Sequence, residues 1–137
     1  MKRYCYSILV LCLALTSVAF SQEKTQAAEK AAADWLRLVD FDAYEKSWKQ
    51  SSPLLRAAVN EIIWEQKLKA VRTPMGAVLS RQLKSAEYKT HLPGVPDGEY
   101  VVIQYKTSFE HKQMATETVV PALDKEGHWR VSGYSVK

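Results

Sequence analysis

Two periodicities divide the chain. From Lys24 to Val39 the apolar residues Ala28, Ala31, Ala32, Trp35, Leu38 and Val39 recur at three- and four-residue intervals, while Glu29, Lys30, Asp34 and Arg37 fill the other side. That spacing lines one face of a helix. Phe41, Tyr44 and Trp48 mark the inner face of a short second helix. Asp42-Ala43-Tyr44-Glu45 has the spacing of its capping box, with the Asp42 carboxylate accepting an orphan amide and Glu45 reaching back. Ser51-Ser52-Pro53 opens one or two more helical turns towards Val59, because proline at the first helical position gives up no hydrogen bond. Asn60 is placed to cap a third main helix, Glu61 to Arg72, that turns Ile63, Trp64, Leu68 and Val71 inward and stops at Pro74 and Gly76.

Beyond Ala77 the pattern changes to alternation. Val78, Ser80 and Gln82 alternate with Leu79, Arg81 and Leu83, which predicts a partly exposed strand ending near Tyr88. A helical reading of Ala77 to Lys89 stays open. His91 to Gly98 is dense in proline and glycine and reads as a turn. From Gly98 to Tyr134, runs rich in Val, Thr, Tyr and Ile are separated by short polar turns, which predicts an antiparallel meander. Asp124-Lys125-Glu126-Gly127 is a type I turn with Gly127 in the left-handed position. The expected fold is therefore α+β, with N-terminal helices on one face of a curved antiparallel sheet of about four strands.

Pairing within the meander can be argued further. A two-residue loop at His111-Lys112 sets Phe109 opposite Met114, Thr107 opposite Thr116, Tyr105 opposite Thr118 and Ile103 opposite Val120. It also sets Lys106 against Glu117 on the outer face, a favourable cross-strand pair. A one-residue slip would bring Glu117 beside Tyr105 on the core side. The unslipped register sorts the apolar residues better and is the expectation. Trp129 and Val131 are expected to share a face with Val119 and Leu123 opposite the helices, joined by Tyr100 and Val102. Such a patch would mark a partner, a ligand or a dimer seam.

The first residues belong to a different pattern. Met1-Lys2-Arg3 is a basic head, Ile8 to Phe20 is an apolar run broken only by Thr16 and Ser17, and Ala19 and Ser21 stand at the −3 and −1 positions of a peptidase site. Residues 1–21 read as a secretory signal peptide, leaving 22–137 as one domain. The apolar run is short of the ~20 residues a membrane-spanning helix needs, so no lasting anchor is expected. Cleavage removes both cysteines, Cys5 and Cys12, which excludes thiol chemistry and disulfides from the mature chain. It also lowers the net charge from +4 to +2, with 17 basic residues against 15 acidic ones. That balance argues against nucleic acid as the partner. The expected compartment is the periplasm, with the extracellular medium as the alternative.

Several of these segments together resemble a known family. Trp35-Leu36 with Asp40, Tyr44 and Ser47-Trp48, then Arg72-Thr73-Pro74-Met75-Gly76 with Ser80-Arg81, Pro93-Gly94, Pro96 to Tyr100, Glu117-Thr118 and Trp129 to Tyr134 are similar to the bacterial domain of unknown function 4019. The resemblance spans nearly all of the chain after the leader. It implies a secreted bacterial domain and no catalytic role. The order of helices and sheet is also similar to the cystatin-like cone of the nuclear transport factor 2-like superfamily. That likeness implies a pocket between sheet and helices and dimerisation through the sheet, and a shared fold does not fix function.

Four polar side chains are candidates for a ligand site: Arg72, Arg81, Tyr105 and Glu117. Two guanidiniums near a pocket mouth would grip a carboxylate or phosphate bidentately. The plain alternative has Arg72 capping its helix and Arg81 in an ordinary ion pair. Glu117 pointing inward, with Tyr105 beside it, would suit a general base. His91, His111 and His128 fall in turns without converging ligands, so no metal and no cofactor are expected. Trp35, Trp48 and Trp64 sit at core positions. The sum is a non-catalytic exported module that holds a small ligand or an envelope protein. The alternatives are a simple acid–base enzyme and a structural homodimer joined through the outer sheet face.

Overall fold

Small residues set the path of the first helix. The computed structural model describes residues 4–137, with side chains from Ser17 onward. The basic head Met1-Lys2-Arg3 and the side chains of residues 4–16, Cys5 and Cys12 among them, lie outside the described residues. Four helices come first: α1 (Tyr4–Asp40), α2 (Tyr44–Lys49), α3 (Pro53–Ala58) and α4 (Glu61–Met75). Four strands follow, β1 (Val78–Lys89), β2 (Tyr100–Phe109), β3 (Lys112–Leu123) and β4 (Trp129–Val136), as one antiparallel sheet in that order. The chain is thus an α+β fold with helices packed on an open four-stranded sheet.

On α1 the buried stripe is Ala28, Ala32, Trp35, Leu36 and Val39. Leu36 takes the place expected of Leu38, which is half-buried. Trp35 is the hub of the core. Its indole donates to the Ser47 carbonyl at 2.9 Å and the Ser51 hydroxyl at 3.1 Å, and its rings tilt against Trp64 and Tyr134. The Trp64 indole donates to the Ser47 hydroxyl at 3.0 Å, so both buried indoles are satisfied by one turn of α2.

The capping box expected at Asp42 is not formed. Asp42 adopts φ 60° and ends α1, with its amide bonded to the Val39 carbonyl and the Ala43 amide bonded to the Leu38 carbonyl. This is a Schellman ending with aspartate in the left-handed position, one of the few non-glycine residues that visits it. Its carboxylate accepts from the Tyr44 hydroxyl at 2.9 Å, and Ala43 precedes α2 without a side-chain cap. Phe41, expected inside, is 82% exposed at this turn. The other caps form as expected: Ser52 accepts from Leu54 N–H ahead of Pro53, and Asn60 accepts from Ile63 N–H at 2.9 Å. The inward stripe of α4 is Trp64, Leu68 and Arg72, spaced by four, so Ile63 and Val71, expected inside, turn out to be exposed.

Residues 78–89 form a strand, not a helix. The larger correction is the β2–β3 register. The turn is Glu110-His111, Phe109 pairs with Lys112, and Tyr105 pairs with Glu117, one residue away from the expected alignment. Lys106 therefore faces Thr116, and the expected Lys106–Glu117 pair does not exist. Val101, Ile103, Tyr105, Thr107 and Phe109 face the helices together with Ala115, Glu117 and Val119. Met114, expected inside, is 80% exposed.

The apolar outer face is corrected as well. Trp129 and Val131 do share a face with Leu123 and Val119, but it is the helix-covered face. Val131 is 1% exposed, and its carbonyl accepts from Ser52 N–H at the start of α3. Outside, Tyr100 is covered by the preceding loop, its hydroxyl donating to the Pro96 carbonyl at 2.5 Å, which leaves Val102 and Val120 half-buried among polar neighbours.

Candidate functional site

Three of the four expected site residues, Arg72, Arg81 and Glu117, meet in one cluster, and three residues not singled out as candidates complete it. Asp40, the last residue of α1, accepts from Arg72 Nη2 at 2.9 Å and takes Arg81 in a two-pronged bond, Nη1 at 2.7 Å and Nη2 at 3.0 Å. Arg81 Nε donates to Glu117 Oε1 at 2.7 Å. Glu117 also accepts from the Thr107 hydroxyl at 2.6 Å and the Tyr134 hydroxyl at 2.5 Å. Arg72 Nη1 reaches back to the Tyr134 oxygen at 3.4 Å. Two guanidiniums thus balance two carboxylates, and α1, α4, β1, β2, β3 and β4 each contribute a side chain. Arg72 is therefore not a cap for its own helix. Arg81 is in an ion pair, and a largely buried one.

The electrostatics follow from this geometry. Burial opposes charge on Asp40, but the hydrogen bonds from Arg81 and Arg72 outweigh it and hold the carboxyl below its usual range. Burial likewise opposes the Arg81 cation, and its bonds to Asp40 and Glu117 overcome it and raise its pKa. Burial and the nearby Glu117 charge push the Tyr134 phenol well up, so it stays a donor. Glu117 is 0% exposed, yet each of its oxygens has a donor, which is the condition for a carboxylate to persist inside a core. Arg72 Nε is buried without a partner, and its guanidinium carbon stands 5.0 Å from the Phe109 ring centroid.

Tyr105 joins the cluster through its ring. The Arg81 guanidinium carbon lies 6.0 Å from its centroid, and burial raises its phenol pKa. Its cross-strand neighbour on β1, Leu83, is 50% exposed, so the helix layer leaves this corner of the inner face open.

Asp40, Thr107 and Tyr134 escaped the search for candidates. Asp40 had a signal: a carboxylate on the final residue of a helix opposes the macrodipole and implies a cation beside it. Thr107 and Tyr134 had none, since each reads as an ordinary strand residue until the register is known.

A groove of about 750 Å³ lies at another end of the sheet, between α3, the loop before β2 and the β3–β4 turn. Pro53, Leu54, Pro96 and Leu123 give it apolar surface, and Arg56 and Lys125 stand among its charged lining residues. Asp124, Glu126 and His128 cluster within 4.8 Å near its end. Asp124 already accepts from the Glu126 and His128 amides and from Arg130 Nε, which leaves that trio poorly suited to a cation.

Residues 31–134 match the model of a family described as Protein of unknown function (DUF4019). A search among curated proteins gives no match.

Proposed function

Since the chain belongs to the DUF4019 family, whose description assigns no activity, we propose from its geometry that it is an exported, non-catalytic binding module. The observation that carries this reading is the saturation of the interior carboxylates. Both oxygens of Asp40 and both of Glu117 accept from guanidinium or hydroxyl donors. A general base needs a lone pair facing its substrate, so the slipped register brings Glu117 inside without freeing it for acid–base work. Arg72, Arg81, Tyr105 and Glu117 then serve to hold the sheet on the helices. The binding surface is the groove beside α3, whose apolar walls and charged rim suit a small amphipathic ligand.

Export is supported by where the packing of α1 begins. Residues 17–23 are all exposed, Val18 and Phe20 among them, and among the described side chains Lys24 is the first half-buried one, two residues past the expected cleavage point. Among the described residues no helix is long and apolar enough to cross a membrane. We place the mature chain in the periplasm.

Native mass spectrometry on protein secreted by a bacterial host tests the reading. Added mass that survives gentle ionisation and leaves on activation is the expected result, and Leu54→Glu, at a half-buried groove position, should lose it while keeping the wild-type circular dichroism. A bare wild-type chain, or a ligand retained equally by Leu54→Glu, overturns the groove assignment. The same spectrum reports any dimer through the outer sheet face.

A further inference from the structure

We infer that Gln22, once the leader is removed, closes into a pyroglutamyl N-terminus. The inference rests on cleavage after Ser21, proposed above. The chemistry needs only the residue itself. The freed α-amino nitrogen, in its neutral form, attacks the side-chain amide carbon, and the new N–C bond closes a lactam. The C–N bond to the side-chain nitrogen breaks, and that nitrogen leaves as ammonia with its own two protons and the one given up by the attacking amine. No oxidant, reductant or second substrate enters the balance.

The structure favours this closure in two ways. Gln22 is exposed and lies ahead of Lys24, the first half-buried position among the described side chains, so its side chain can fold back without breaking a core contact. Helix α1 also runs through this position, so the mature helix would start with a free ammonium at the positive end of its dipole, two residues before the Lys24 cation. The lactam removes that charge. Glu23 then stands in the first turn, where an acid is favourable.

The ring would also guard a contact the fold uses. Lys24 Nζ binds Glu99 Oε1 at 2.5 Å, and the Tyr88 hydroxyl donates to the same oxygen at 2.7 Å. This trio ties the start of α1 to the end of β1 and the residue before β2. An aminopeptidase that removed Gln22, Glu23 and Lys24 would cut the tie, and such enzymes need the free α-amine that the lactam lacks.

The test expresses the full chain, leader included, in a secreting bacterium and reads the intact mass and N-terminus of the mature protein. The expected species begins at Gln22, is lighter by one ammonia than the open form, and resists Edman degradation until treated with pyroglutamate aminopeptidase. Gln22→Ala should be matured at the same place, carry a free amine and be trimmed several-fold faster by a broad aminopeptidase. A chain that begins at Gln22 and keeps its amine after prolonged incubation overturns the closure and leaves the export reading standing. Equal trimming of the two proteins overturns the guarding role. A chain that retains residues before 22, or begins elsewhere, overturns the cleavage reading and the closure with it.

Discussion

Tyr105 on β2 lies directly opposite Glu117 on β3, and both side chains point towards the helices. The pairing places a carboxylate that is 0% exposed on the helix-covered face of the sheet, where an unpaired charge would not survive. Arg81 arrives from β1 and Tyr134 from β4 to meet it. Four strands and two helices are thereby pinned at one point, and the first prediction follows from that.

Glu117→Ala should destabilise the protein by about 3–5 kcal/mol, because Arg81 Nε, the Thr107 hydroxyl and the Tyr134 hydroxyl lose their shared acceptor inside the core. Joint replacement of the whole charged set by well-packed apolar residues, Arg72→Met and Arg81→Met with Asp40→Leu and Glu117→Leu, together with Thr107→Val and Tyr134→Phe, should recover much of that loss. Urea unfolding measures both. A loss below about 1 kcal/mol for Glu117→Ala would mean that the cluster does not hold the sheet.

Acid should weaken the fold through Asp40. Its carboxyl is held below its ordinary 3.8 in the folded state by the two arginines. A depressed folded pKa contributes stability that is fully present above the unfolded value and lost as pH falls through the folded one. The stability curve should therefore fall below about pH 4, and Asp40→Asn should flatten that limb while lowering the plateau. An acid limb unchanged in Asp40→Asn would assign the effect to other carboxylates.

Alkali acts on Tyr44 with the opposite sign. Burial, then the hydrogen bond to Asp42, push its phenol from 10.0 up to about 12. A raised folded pKa keeps its contribution below the unfolded value and loses it as pH rises through the folded one, here between pH 10 and 12. Ultraviolet titration of the phenolates should show one ionisation fewer in that window for Tyr44→Phe, while the Tyr88 and Tyr105 phenols, also raised, still titrate late. An unchanged late titration in Tyr44→Phe would refute the assignment.

The two faces of the sheet should answer differently to charge. Val131→Lys puts an ammonium at a position 1% exposed beneath the helices and should prevent folding or cost several kcal/mol. Val102→Lys, on the half-buried outer face, should cost about 1 kcal/mol or less. Thermal melts of the pair decide it, and equal tolerance at both positions would contradict the observed face of β4. Gel filtration of Val102→Lys beside the wild type adds the test for a dimer through that face.

Element type and order were legible in the residues because they depend on neighbours in the chain. Ser52 before Pro53, Asn60 before Glu61, and Gly127 at φ 84° behave as local chemistry requires. The errors share a cause. At Asp42 two motifs compete for one residue, and the ending of α1 prevails over the start of α2 because the left-handed turn redirects the chain there. On α4 the inward stripe ends in Arg72 where the apolar pattern pointed to Val71, since a cation can be buried once Asp40 awaits it.

By itself, the amino-acid order determined an α+β chain of helices followed by an antiparallel meander from Gly98 to Tyr134, with Trp35 and Trp64 in its core and Arg72, Arg81, Tyr105 and Glu117 as the side chains to watch. Strand and helix both stayed open for residues 77–89. Only the tertiary structure decided the β2–β3 register, the face of β4 and the company those four residues keep. The physical reason is that burying Glu117 is unfavourable when counted along its own strand and tolerable only when donors from β1, β2 and β4 are counted with it. Those donors are distant in sequence, and nothing local announces that they converge.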